Sequence, residues 1–461
     1  MRLTQKLQLF ISPAKVSCDQ SEELAEMDRI LRELPGMNEF YALILKEVNH
    51  GHSEHKTGRE GLSAEQIVKL GILRKRHGLD YRTLSHATLD SLSIRAFLNL
   101  APEKGISKSA INNNLKAVSD GTWELLSKKI TEFARSKELE SGKALRSDCT
   151  TVETNIHYPT DASLLNDTVR VLCRNMDRAC KVIGAQAQYE DRSRRAKAKL
   201  FKINNVRGEE RRRPHYLELI RITRETVQYA EAMLTVVENH QCADLLQGLE
   251  LQAIGAELKT YIPRGLKVVD QAYRRLVNKE EVPSAEKIVS IFEEHTDIIV
   301  KGFRDVAFGH KVLLSTGVTG LIFDLQILGG NPKDSMLVPG IFKRHAENTG
   351  SAPTVAAFDG CFGSTANRDL AKEEGVEELT FSKNRSLSID SLMSCPKLHK
   401  VLRNFRAGIE GCISFLKRVF GFSRVLDKTL ETFKAALHLG AVAYNLTQLA
   451  RMRIAANAQS A

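Results

Sequence analysis

Asp148, Asp359 and Glu410 are acids in settings that a solvated surface does not call for. They lie in Leu145-Arg-Ser-Asp-Cys-Thr-Thr-Val-Glu-Thr154, in Val355-Ala-Ala-Phe-Asp-Gly-Cys-Phe-Gly363 and in Arg406-Ala-Gly-Ile-Glu-Gly-Cys-Ile-Ser-Phe-Leu-Lys417. A carboxylate inside an apolar, β-prone run is costly unless it is paired or coordinated. Three such groups brought together would repel one another and raise one another's pKa values. Two divalent ions about 3.5–4 Å apart relieve that repulsion and perform in-line phosphoryl transfer. All-oxygen ligands suit Mg2+ or Mn2+. The expectation is therefore a two-ion Mg2+ (or Mn2+) centre on Asp148, Asp359 and Glu410.

The elements that must position these acids can be read from pattern. Ala144 to His157 reads as a long strand rich in Thr and Val, with Asp148 and Val152 on one parity and Cys149 and Glu153 on the other. Glu153 should thus face away from Asp148; an edge strand with Asp148 in water is the alternative. Asn155 to Asp161 turns into a helix capped by Thr160 or Asp161, and His157 stays outside the metal site. Gly309 to Gly329 reads as a hairpin, and Asp334 as a helix cap. Thr354 to Asp359 is a short buried strand ending at an acid, followed by a glycine turn and a helix from Asn367 to Glu374. That is how α/β proteins present a carboxylate at a strand's C-terminal edge. Leu379 to Lys383 adds a strand. Arg406 and Glu410 are spaced i,i+4 on a helix, with Lys417 two turns on, so the three share a face. An isolated pair of that kind can also be a surface ion pair.

The remaining chain is helical and basic. Ser63 to His77 carries a capping-box pattern, Ser63 with Gln66, ahead of a helix ending at Gly78. Ile106 to Lys116 places Ser, Lys and Asn at a helix start, as in the recognition helix of a helix-turn-helix, with Lys108 as a candidate DNA contact; a solvated bundle helix fits the same residues. Trp123, the single tryptophan, should be core. Arg192 to Arg213 holds ten Lys/Arg against two Glu, and Arg194, Arg195 and Arg212 are candidate phosphate contacts. Later helices, Tyr216 to Val237 and Leu245 to Ile262, read as packing elements. The tail from Leu430 to Leu449 reads as an apolar helix, with Tyr444 and Asn445 packing and capping. A net charge of +11 favours a polyanionic partner. Eight scattered cysteines without CxxC spacing fit reduced thiols in a cytoplasmic protein, and no run approaches the ~18–20 apolar residues of a membrane span.

The block Arg-Ser-Asp-Cys-Thr-Thr-Val-Glu-Thr-Asn-Ile-His-Tyr-Pro-Thr-Asp-Ala-Ser-Leu-Leu resembles the first catalytic block of DDE transposases of bacterial insertion sequences, especially the ISNCY-like group. The resemblance extends to Leu62–Leu100 and to both later acid blocks. Arg406, Glu410 and Lys417 have the spacing of the family's Tyr-Arg-Glu-Lys signature, but Arg403 stands where the family carries Tyr. That departure puts the Tyr role in doubt and leaves the acid in place.

The resemblance implies an α/β fold: a ribonuclease H-like mixed sheet as catalytic core, an N-terminal helical domain and a large helical insertion. In that fold Asp148 on the first strand and Asp359 on the fourth are neighbours. The implied domains are 1–140 (helical, DNA-binding), 141–161 with 306–461 (catalytic) and 162–305 (basic insertion). The implied reaction is metal-dependent cleavage at element ends and strand transfer into target DNA. Its partners would be terminal inverted repeats, target DNA and a second copy of the chain, with Arg406 and Lys417 holding phosphate. A helix-turn-helix regulator without catalysis, or a nuclease that cuts without joining, are the alternatives.

Overall fold

The computed structural model describes residues 19–49, 61–101, 104–184, 188–301, 305–382, 392 and 398–460. In chain order the helices and strands are α1 (Asp19–Glu33), α2 (Met37–Val48), α3 (Ala64–Arg76), α4 (Tyr81–Asp90), α5 (Leu92–Phe97), α6 (Lys108–Ala117), α7 (Asp120–Ser136) and β1 (Ala144–Glu153). Next come α8 (Asp161–Ile183), α9 (Ser193–Asn205), α10 (Glu209–Asn239), α11 (Leu245–Leu276), β2 (Asp297–Lys301), β3 (Asp305–Thr316) and β4 (Ile322–Leu328). The chain closes with α12 (Val338–Thr349), β5 (Val355–Phe358), α13 (Thr365–Glu373), β6 (Glu378–Phe381), α14 (Leu398–Val419) and α15 (Leu430–Ser460). The fold is α/β with a mixed sheet. It divides into two compact units, Met1–Asn155 with Gly309–Ala461, and Ile156–Phe308.

The first unit holds the acids. Its strands run in the order β4-β3-β1-β5-β6. β1 is antiparallel to β3, with Asp148 opposite Leu314, and parallel to β5, with Ser147 opposite Phe358; β5 and β6 are parallel. Alternation along β1 divides its side chains between two faces. Leu145 joins a core with Leu313, Phe342, Phe358 and Phe381, beneath α12 and α13. Val152 and Leu314 join the other core, with Ile409, Cys412 and Leu416 of α14. Asp148 has the parity of Val152 and so looks toward α14.

β1 is shorter than its composition suggests. Its ladder with β3 ends at Glu153 opposite Gly309, where the Glu153 N–H donates to the Ser423 carbonyl and the Glu153 carbonyl accepts the Val425 N–H. The N-terminal helices do not form a body of their own. Leu70, Leu73, Trp123, Leu126 and Ile130 share one apolar core with Leu437, Leu446 and Leu449 of α15 and with Val152 and Val312 of the sheet. A boundary at residue 140 therefore has no counterpart in the packing. Ser63 and Gln66 form the reciprocal capping box of α3. Gly71 gives α3 its close approach, because a Cβ there would press on Leu439 of α15 and Leu115. Asn445 is fully buried; its amide oxygen accepts the Ile322 N–H at 2.8 Å and its amide nitrogen donates to the Ile322 carbonyl at 2.9 Å. It thus satisfies the backbone where β4 begins, while the Tyr444 hydroxyl donates to the Gly320 carbonyl.

The second unit is a helical bundle. Leu172 and Met176 of α8, Ile222 and Val227 of α10, and Ile254 and Leu258 of α11 form its core. Thr160 caps α8 in a capping box with Ser163. α11 runs through Pro263, past the expected end at Ile262. An internal proline costs about 3 kcal/mol, and the burial of Val268, Val269 and Ala272 beyond it offsets that cost.

Candidate active site

Three segments far apart in sequence bring their acids to one guanidinium. Asp148 projects from the middle of β1. Asp359 follows β5 directly, where Phe358 pairs with Ser147, so the parallel register places the two aspartates side by side at neighbouring strands. Glu410 comes from α14, which packs on β1, β5 and β6. Arg406, one turn before Glu410, reaches all three: Nη2 is 3.3 Å from Asp148 Oδ2 and 3.4 Å from Asp359 Oδ1, and Nη1 is 2.6 Å from Glu410 Oε1. Its side chain is 15% exposed, whereas that of Glu410 is 61% exposed. The pocket is therefore closed by the sheet on one side and open at Glu410.

Each aspartate is oriented by a further hydrogen bond. Asp148 Oδ1 accepts the Cys149 N–H at 2.7 Å, which leaves Oδ2 for the cation. Asp359 Oδ1 accepts the Ser382 hydroxyl at 2.6 Å, and Ser382 Oγ in turn accepts the Gly360 N–H at 3.1 Å. Ser382 was not singled out in the sequence. Its signal is positional: Phe381 pairs with Phe358, so the next residue of each strand stands beside the other.

Burial raises the Asp148 carboxyl above its ordinary range; the Cys149 N–H and Arg406 oppose the shift, while the charges of Asp359 and Asp334 add to it. The ionised form is thus the unfavourable one in the fold. Asp148→Asn should accordingly raise thermal stability at neutral pH. The sign follows from linkage: an acid whose pKa is raised by folding stabilises while protonated and loses that contribution as pH rises through its folded pKa. The gain from asparagine should be present above that pKa and vanish below the ordinary carboxyl range. Melting curves of both proteins from neutral pH to pH 3 check this.

The Arg406 guanidinium, a candidate phosphate ligand, lies among the three acids. The donor set fits a hard divalent cation, since it offers carboxylate oxygens only. Among the described residues, however, no group of three His, Cys, Asp or Glu stands ready to hold a metal ion. The three carboxylates are bridged by the Arg406 guanidinium. Lys417 lies two turns beyond Glu410 on α14, and its carbonyl accepts the Ser423 hydroxyl. Arg403, on the same helix, is exposed.

The other acids lie outside this cluster. Glu153 pairs with Arg424 at 2.6 Å. Asp334 caps no α-helix; its carboxylate pairs with Lys311 of β3 at 2.6 Å, and α12 begins at Val338, its N-cap residue Leu337 supplying no side-chain cap. The buried Lys311 side chain needs that counter-charge more than the helix end needs a cap. His157 lies 3.5 Å from Asp167 within the second unit.

The basic candidates fall into two groups. Lys108 opens α6 after its cap Ser107 and is exposed, but Asn114 of the same helix turns inward to donate to the Ala110 carbonyl. In the second unit Arg195 pairs with Glu218 at 3.1 Å, and Arg212 Nε donates to the Val206 carbonyl at 2.6 Å, closing the end of α9. Arg194, Lys197, Lys202, Arg207, Arg211 and Arg213 are exposed and form no salt bridge among the described residues.

No protein-family model, curated protein or solved structure matches the chain. Among the described residues no helix is long and apolar enough to cross a membrane. The six described cysteines form no disulfide with one another.

Proposed function

We propose that the chain is a DDE transposase of the bacterial insertion-sequence type, a cytoplasmic enzyme with a ribonuclease H-like core that cuts DNA at element ends and joins them to target DNA. The observation that carries this reading is the meeting of Asp148, Asp359 and Glu410 at a single cationic centre. The β4-β3-β1-β5-β6 order, an antiparallel hairpin followed by parallel strands, is compatible with that core. Asp148, Asp359 and Glu410 would hold two Mg2+ or Mn2+ ions, which when bound supply Lewis-acid charge stabilisation and a more acidic bound water.

The chain's own residues then have distinct tasks. Ser382 and the Cys149 N–H hold the aspartates in fixed orientations before DNA arrives. Glu410 forms the open lip through which a phosphodiester can enter. Arg406, turned away from the acids, can bind a phosphate through two parallel hydrogen bonds, and Lys417 adds a point charge.

The unpaired cations of α9 and of the first turns of α10 supply a surface for the DNA backbone, on which two copies of the chain would assemble. Each phosphate contact contributes about 0.9 to the slope of log affinity against log salt. Replacing both Lys197 and Lys202 with alanine should lower that slope by roughly 1.8, measured as DNA affinity across a salt series.

The reaction is tested by incubating the protein with Mg2+ and duplexes that end in the inverted repeats flanking its gene. Cleavage to a 3′-OH end and a product joined to a second duplex are expected. Cleavage without joining would leave a nuclease, and specific binding without cleavage a regulator.

A further inference from the structure

Arg146 is a second arginine on the acid-bearing face of β1, and the site described above does not use it. It shares the parity of Asp148, two residues away, and so faces α14 as well. Only 8% of the residue is exposed, yet its guanidinium forms no ion pair among the described residues. Nε donates to the Thr316 hydroxyl at 2.9 Å, and Nη1 donates to the Phe405 carbonyl at 2.7 Å. The guanidinium carbon lies 4.8 Å from the centre of the Phe405 ring. Burying a cation against neutral partners is expensive, and an apolar side chain of similar volume would fill the space at lower cost. The guanidinium is thus poorly explained by packing alone.

Its partners lie beside the site. Phe405 immediately precedes Arg406, so the carbonyl that Arg146 grips is one residue from the guanidinium that meets the three acids. Gly408 falls midway between Arg406 and Glu410, and a Cβ there would overlap Nη1 of Arg146. The glycine clears room for the Arg146 fork on the turn of α14 that carries both functional side chains. Strand and helix are thus joined by two arginines in opposite directions, Arg146 from β1 to the α14 backbone and Arg406 from α14 to Asp148.

We infer that Arg146, with the space left by Gly408, is a positioning residue that fixes the register of α14 against β1 so that Glu410 reaches Asp148 and Asp359. The inference rests on the metal-dependent reading of those three acids. It acts through the helix, and Arg146 itself touches neither metal nor DNA. Supporting groups of this kind are worth roughly 10–100-fold in metal affinity when removed.

The test is Mn2+ binding to the full-length protein, followed by electron paramagnetic resonance of the free ion, for wild type, Asp148→Ala, Arg146→Met, Arg146→Lys and Gly408→Ala. Wild type should bind and Asp148→Ala should not. Arg146→Met should bind roughly 10–100-fold more weakly with its circular dichroism unchanged. Arg146→Lys should recover part of the loss, because an ammonium can reach the Phe405 carbonyl but cannot span both partners as a planar fork. Gly408→Ala should weaken binding with Arg146 still present, and it decides the matter if Arg146→Met fails to fold. Wild-type affinity in Arg146→Met, or in Gly408→Ala where that variant decides, would overturn the inference alone. No Mn2+ binding by wild type would sink the metal reading of the acids and this inference with it.

Discussion

Asp148→Ala is expected to abolish Mg2+-dependent cleavage of inverted-repeat DNA by at least about a thousandfold while leaving DNA affinity near that of wild type. The size follows from the chemistry proposed for the site. Charge stabilisation by a bound divalent ion is worth several kcal/mol in the transition state, and about 4 kcal/mol corresponds to a factor of roughly a thousand. Asp148 is central to the cluster, since it is held by the Cys149 N–H on one oxygen and faces the cation on the other. Glu153→Ala is the matched control. It removes an acid from the same strand whose partner is Arg424, so it should cleave at the wild-type rate. Equal activity in Asp148→Ala and wild type, measured as initial rates on labelled duplex, would refute the assignment.

The second large effect concerns Arg406. Its three ion pairs are unequal. The Glu410 arm is short but its carboxylate is mostly in water, so it contributes only a few tenths of a kcal/mol. The contact to Asp148 lies in a pocket where both side chains are largely shielded, and a hydrogen bond to a charged group there is worth about 1.5–3 kcal/mol. Arg406→Ala should therefore destabilise the metal-free protein by about 1–3 kcal/mol, read from denaturant unfolding of the first unit. The same variant should gain more stability from Mn2+ than wild type does, because the ion no longer has to displace a guanidinium. A ligand present at a hundred times its Kd adds about 2.7 kcal/mol, a gain of the same size as the loss. Equal stabilisation of the two proteins by Mn2+ would show that Arg406 does not compete for the metal position.

Much of the site's frame is legible along the chain. The parity of β1 places Asp148 and Glu153 on opposite faces, and a strand running into an acid and a glycine turn marks Asp359 at a strand end. The i,i+4 spacing of Arg406 and Glu410 anticipates their contact. What spacing does not carry is how a helix seats on a sheet. The spacing on α14 pairs Arg406 with Glu410, but its meeting with Asp148 and Asp359 follows only once α14 is placed over β1 and β5. Ser382 and Arg146 are silent for the same reason: the first needs the β5–β6 register, and the second needs the position of the Phe405 carbonyl.

The larger-scale differences have a similar origin. Amphipathic spacing does not anticipate that α3 is buried nearly all round, Glu65 and Lys69 included, nor that α15 packs against both α3 and α7. β propensity continues past Glu153, but the ladder with β3 stops there, and the Glu153 backbone bonds to Ser423 and Val425, residues whose position spacing along the chain does not reveal. Pro263 suggests a helix end, but the apolar positions that follow it hold α11 in the bundle.

The most direct measurement is the anomalous difference density of crystals grown in saturating Mn2+. The proposed chemistry predicts manganese within coordination distance of Asp148, Asp359 and Glu410 together, with the Arg406 side chain withdrawn from all three. Manganese bound elsewhere, or Arg406 still seated among the acids at saturating Mn2+, would contradict it.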